Sequence, residues 1–286
     1  MTKKSLIKGN MRKLSGSAAV VCLAMGVLGS TQALAGIAST KHNLGSTSTA
    51  GNNKTTGTGD ICVFCHTPHG ADTSASVPLW NRTLATPSSY TTYNSLGTSS
   101  LDGATAPVGS VSLACLSCHD GSQAMNTMIN APGSGSTAIG GTWSGANQTA
   151  GKITGTYSQI GTDLRNDHPV GIQYAGGPSG GTIPATGDYT TFFDPDFRTA
   201  KSVALNGTQV WYVDNSGTTS RQKTDMQLYT RTVTTWNSGI GQQTIASTTA
   251  QPYVECASCH DPHTETTTFL RVSNVGSAVC LACHIK

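Results

Sequence analysis

Apolar side chains rarely gather along this 286-residue chain. The one unbroken apolar run, residues 18–28, is 11 residues long, well short of the roughly 20 that cross a bilayer. Five basic residues, Lys3, Lys4, Lys8, Arg12 and Lys13, precede the run, and Ala33-Leu34-Ala35 follows it as a small-x-small site. The pattern predicts a secretory signal over residues 1–35, with Gly36 opening the exported chain. A lipid anchor on Cys22 would need small residues just before it, where Val20 and Val21 stand.

Beyond the leader no apolar stripe of period 3.6 is sustained, so helices are expected to be few and mainly single turns. Val203, Ala204 and Leu205, then Asn206-Gly207, then the alternating Thr208-Gln209-Val210-Trp211-Tyr212-Val213 predict a hairpin about a two-residue turn. Residues 226–234 add a further strand signal. Residues 131–165, rich in Gly, Ser and Thr, read as linker or surface loop.

Composition sharpens the picture. Only 36% of residues are hydrophobic, 6% aromatic and 11% charged, against about 25% charged in an ordinary domain. Side chains this sparse build a thin core, yet the chain is not charged enough to read as disordered. Something besides side chains is expected to fill the interior. The formal charge of +3 belongs to the leader: without its five cations, 12 basic residues face 14 acidic ones over 251 residues. No basic patch remains for nucleic acid, and no second apolar run is long enough for a membrane helix.

The cysteines supply the missing interior. Apart from Cys22, all of them fall in four copies of C-x-x-C-H: Cys62, Cys65 and His66; Cys115, Cys118 and His119; Cys256, Cys259 and His260; Cys280, Cys283 and His284. That is the attachment signature of c-type haem. Two thiols tether the macrocycle through its vinyl groups, and the adjacent imidazole reaches the iron as proximal ligand. Disulfides, a dithiol redox pair or zinc would also use paired cysteines, but none of them demands a histidine after every second one. Four covalently bound haems are therefore expected.

Four histidines are left over, His42, His69, His168 and His263, as many as the sixth ligands that four haems require. The methionines after the leader, Met125, Met128 and Met226, are too few and share no repeated context. The spare histidines do: each half of the chain reads H-x-[LV]-G, then C-x-x-C-H-x-P-H, then C-L-x-C-H. An apolar scrap follows the first motif of each unit, Pro78-Leu79-Trp80 and Phe269-Leu270-Arg271. His69 lies three residues from His66 and projects from the same side of a turn, so it must serve another haem. The expected assignment is His69 to the haem of Cys115 and Cys118, and His263 to that of Cys280 and Cys283. If a leading histidine serves the preceding unit, His168 links the two pairs and His42 reaches a haem of another subunit, a head-to-tail contact that grows without closing. His42 folding back onto its own chain is the alternative.

The expected fold is mostly irregular, with short helices at the haem motifs, a small β-rich insertion and a core of stacked haems. The units are 36–130, a linker and insertion over 131–250 carrying His168, and 251–286. With imidazole on both faces an iron passes single electrons and binds no small substrate. Electron transfer is expected rather than catalysis, since a multihaem reductase breaks its ligand pattern at one iron and nothing is broken here. Asp194-Pro195-Asp196 reads as a turn more readily than as a calcium site.

Lys41-His42-Asn43-Leu44-Gly45, the two C-H-x-P-H motifs and Asp167-His168-Pro169-Val170-Gly171 make the sequence resemble the doubled-CxxCH multihaem cytochromes, and among them the OmcE-type tetrahaem cytochromes of metal-reducing bacteria. The resemblance rests on residues 41–120, 166–171 and 255–284. It implies an extracellular filament of stacked haems, copies of the chain as partners, and a histidine of one subunit on a haem of the next, a role that would fall on His42. Other redox cytochromes or extracellular acceptors would exchange electrons with it. A monomeric periplasmic shuttle remains the alternative.

Overall fold

The computed structural model describes residues 36–48, 53–97, 100–133, 136–179, 184, 187–232 and 250–285. The expected leader lies outside the described residues. Among the described residues, no helix is long and apolar enough to cross a membrane.

Among the described residues there are nine strands: β1 (Lys54–Thr55), β2 (Trp143–Ser144), β3 (Gln148–Thr149), β4 (Lys152–Ile153), β5 (Ile172–Gln173), β6 (Ala200–Leu205), β7 (Thr208–Val213), β8 (Met226–Arg231) and β9 (Gln251–Val254). The last five form one antiparallel sheet in the order β5-β9-β8-β7-β6. The hairpin turns at Asn206-Gly207, with Leu205 opposite Thr208. Both turn residues have positive φ, 49° and 77°, as a turn matching the strand twist requires. Trp211 opposes Leu228 and Val213 opposes Met226. These four point inward with Tyr174, Tyr189 and Ala200, so the period-2 pattern becomes one buried face. The described part of the expected 226–234 strand ends at Arg231.

The second core surrounds the helix Ser110–His119. Its ten residues exceed the single turn expected at a haem motif. Leu113, Ala114 and Leu116 are buried, and so are Ser112 and Ser117. A helix buried on several sides shows no amphipathic stripe, which is why periodicity missed it.

Residues 131–165 also differ from the expected linker. β2 pairs with β1, β3 pairs with β4, and Ile139 and Ile153 are buried. A Cβ on Gly57 would strike the Gly140 backbone, and one on Gly141 would strike the Gly57 backbone. The segment packs through its main chain, so a composition poor in apolar residues hides the contact. β5 likewise joins β9, and the helices Ser110–His119 and Cys256–Cys259 touch. From Gly36 onward the described residues therefore pack as one unit, and the expected boundaries at 130 and 250 cut through it.

Candidate functional site

The first, third and fourth C-x-x-C-H motifs sit on short helical turns, where a separate segment forms a β-bridge with the histidine, while the second closes the helix Ser110–His119. At the first, Cys62–Phe64 is a 3-10 turn. His66 forms a β-bridge with Trp80, the Asn81 amide donates to the Cys65 carbonyl, and the Thr67 amide to the Leu79 carbonyl. This strap aims the Pro78 carbonyl at His66 Nδ1, 2.8 Å away. The third motif repeats the strap atom for atom. His260 bridges Leu270, the Arg271 amide meets the Cys259 carbonyl, the Asp261 amide meets the Phe269 carbonyl, and His260 Nδ1 lies 2.8 Å from the Thr268 carbonyl. Leu79 and Phe269 are both forced to positive φ, 57° and 59°. The equivalent triplets are thus Pro78-Leu79-Trp80 and Thr268-Phe269-Leu270, one residue earlier in the second unit than the paired apolar scraps.

The other two motifs reach the same end from different chain segments. His119 closes its helix with Nδ1 2.7 Å from the Ser158 carbonyl, a contact delivered by the Gly/Ser/Thr-rich segment. His284 bridges Phe197, the Arg198 amide meets the Cys283 carbonyl, and the Ile285 amide meets the Asp196 carbonyl. Asp194-Pro195-Asp196 is thereby a strap. Its Asp194 carboxylate accepts the Asp196 amide at 2.9 Å, and among the described residues no three metal-ligating side chains cluster. Fixing Nδ1 on a carbonyl sets the tautomer and leaves Nε2 free as a ligand. Three of the four motif histidines show this contact.

The eight cysteines after the leader are free thiols, standing where thioether sulfurs would stand. They form a line in sequence order. Cys118 lies near enough to Cys65 to raise it, Cys115 donates a hydrogen bond to Cys256, and Cys280 raises Cys259. Burial pushes Cys65 and Cys283 up to about 12 and Cys259 up to about 11, marking apolar surroundings. The hydrogen bond raises Cys115 and lowers Cys256.

The spare histidines meet partners other than those expected. His42 stands 6.2 Å from His119, ring centre to ring centre, with planes 68° apart. His263 stands 6.3 Å from His66 with planes 18° apart. Two metal–imidazole bonds of about 2.0 Å, plus the reach from each nitrogen to its ring centre, account for about 6 Å. Both separations therefore fit one iron between two imidazoles. The Asp261 carboxylate lies 3.4 Å from His263 Nδ1, and the Pro262 carbonyl accepts from the His42 ring. His42 also stacks on Phe269 at 4.2 Å. Burial, with His119 beside it, holds His42 down to about 4, and burial lowers His119 and His260 too. Each shift favours the neutral imidazole that ligation requires. His168 is near enough to His260 to lower it further.

His42, not His69, therefore faces His119, and it does so within its own chain rather than across a subunit boundary. His263 faces the first motif rather than the fourth, and His168 sits by the third motif rather than reaching back to the first unit. His69 is exposed, with only its backbone carbonyl held, by Thr67 and Asn130. Spacing cannot show such crossings, because the partners meet only after the two halves interleave. Sequence reasoning also passed over the strap carbonyls, Asp261, Phe269 and Arg82. The paired apolar scraps were the available signal for the straps.

A family model for the doubled CXXCH motif matches residues 251–286. No curated protein matches the chain. The matched stretch holds the third and fourth motifs with Asp261 and His263, so the chain carries the doubled CXXCH arrangement of multihaem c-type cytochromes, which hold haem covalently and transfer electrons.

Proposed function

We infer that the chain is a tetrahaem electron carrier in which each iron sits between two imidazoles. The observation that carries this reading is the pair of ring separations, His42 to His119 at 6.2 Å and His66 to His263 at 6.3 Å. Haem in such a site supplies one-electron transfer without an open coordination position. The protein aims three of the proximal imidazoles at backbone carbonyls, favours the neutral form of His119 and His260 by burial, and brings successive attachment points together. Intact-mass measurement of the exported holoprotein should show the polypeptide plus four haems, with a Soret band of low-spin type. A mass of bare polypeptide would end the reading.

The finer reading is an extracellular head-to-tail polymer of this chain. Its support is an imbalance at the ends of the file. Among the described residues, no histidine ring contacts that of His284, and His69 is exposed without a ring partner. His69 of one copy completing the His284 site of the next would satisfy both and repeat without closing. Negative-stain imaging should show rods for the wild type and for His42→Ala, and none for His69→Ala. Monodisperse wild-type particles would favour a periplasmic shuttle.

A further inference from the structure

Arg82 is 0% exposed, yet no carboxylate meets it. Its Nε donates to Ser117 Oγ at 3.2 Å. Its Nη1 donates to the carbonyls of Met125 and Thr127 at 3.0 and 2.7 Å. Its Nη2 donates to those of Ser117 and Ala124, both at 3.0 Å. All five N–H groups thus reach neutral acceptors, and among the described residues no acid lies within ion-pair reach. A guanidinium cannot shed its proton here, so a full positive charge is fixed in the interior, where water and salt screen it little.

Its position is between the first two attachment points. It follows Asn81, whose amide holds the Cys65 carbonyl. It grips Ser117 inside the second motif. Its charge reaches the sulfurs of both Cys65 and Cys118. Beside the second motif it is partly offset by Asp120, which directly follows His119 and whose carboxylate accepts from the Tyr90 hydroxyl at 2.9 Å; the residues 62–66 of the first motif and the two that follow them include no acid. The other arginines by the haem thiols differ. Arg231 is paired with Glu255 at 2.6 Å, Arg271 lies 3.7 Å from Asp261, and Arg198 is exposed.

We propose that Arg82 is a potential-setting residue: its unpaired buried charge makes the haem at Cys62 and Cys65 the easiest of the four to reduce, giving the file an electron-accepting end. The proposal rests on covalent haem at these motifs. Ferric haem carries one more positive charge than ferrous haem, so a fixed cation alongside favours the electron's arrival, and no proton or ligand need move.

The test is a redox titration of the holoprotein at pH 6, following haem-methyl proton resonances assigned to each motif. In the wild type the Cys62/Cys65 haem should be reduced first; its reduction after any other haem would overturn the proposal even if no variant folds. In Arg82→Met its reduced-to-oxidised ratio at fixed potential should fall about tenfold, equivalent to about 59 mV, with the Cys280/Cys283 haem unmoved. Arg82→Lys, which keeps the charge and loses the fork, should stay near the wild type. Equal shifts in both variants, or none in Arg82→Met, would show that packing rather than charge matters and would overturn it. Absence of thioether-bound haem would be seen beforehand in the mass and would remove the underlying reading as well.

Discussion

His42 and His119 belong to opposite ends of the first unit, 77 positions apart in sequence, and meet with their ring planes 68° apart. His66 and His263 meet nearly parallel, at 18°. Axial imidazole orientation is one of the protein's levers on a haem iron, because crossed and parallel rings split the metal d orbitals differently. Low-temperature EPR of the ferric protein should therefore resolve at least two low-spin classes, a highly anisotropic one and a rhombic one. His42→Ala should abolish the anisotropic signal at the Cys115/Cys118 haem and turn one haem in four high-spin, at any protein concentration because the ligand comes from the same chain. An unchanged spectrum would remove His42 from the iron.

What the sequence made readable was whatever depends on neighbours along the chain. The Asn206-Gly207 hairpin and the four C-x-x-C-H turns need only local spacing. The partners of the distal histidines were not legible for a physical reason. His263 meets His66 across 197 positions of sequence, with its ring beside the Asp261 carboxylate. No periodicity encodes that meeting. The segment supplying Ser158 was unreadable because main-chain atoms, which every residue has, make its contacts.

The straps should respond in opposite directions to two substitutions at one position. Leu79 holds φ at 57° with its side chain 52% exposed, a backbone state costing an ordinary residue roughly 1–2 kcal/mol. Leu79→Gly should raise stability by up to about 1 kcal/mol. Leu79→Pro cannot adopt that φ, so it should release the Pro78 carbonyl from His66. Thermal unfolding would show the first effect, and a changed first-haem spectrum the second. Phe269→Gly should not stabilise despite its φ of 59°, because it removes the ring stacked on His42. Equal gains at both sites would refute the distinction.

The sheet carries a pH-dependent contact of its own. Lys201 Nζ donates to Asp214 Oδ2 at 2.6 Å, and this contact, aided by the Ser216 and Gly217 amides and the Ser216 hydroxyl, holds the Asp214 carboxyl below its ordinary value. A lowered carboxyl favours the fold when ionised. Its contribution is complete above the unfolded value near 4 and fades as pH falls through the lower folded value. Lys201→Met should lower stability slightly at neutral pH, since an exposed pair is worth little, and flatten the acid limb of the stability curve below pH 4. An acid limb identical to the wild type's would show that the pair contributes nothing.

The five-stranded sheet also positions the fourth motif, so damage to its core should be felt at a haem. Trp211 is 1% exposed and packs edge-on to Tyr189 at 6.0 Å. In the same cluster, Tyr174 donates its hydroxyl to the Arg198 carbonyl at 2.7 Å and meets Phe197, the residue that bridges His284. Trp211→Ala leaves a cavity where a large side chain was removed, a loss of about 3–5 kcal/mol, or roughly 10 °C of thermal midpoint for a chain of this size. The Cys280/Cys283 haem should lose its native spectrum at a lower temperature than the Cys62/Cys65 haem, whose strap does not touch this cluster. Tyr157→Ala, at a fully exposed site, should shift neither. If Trp211→Ala unfolds all four haem sites in one step, the sheet serves the whole fold equally and has no special tie to His284.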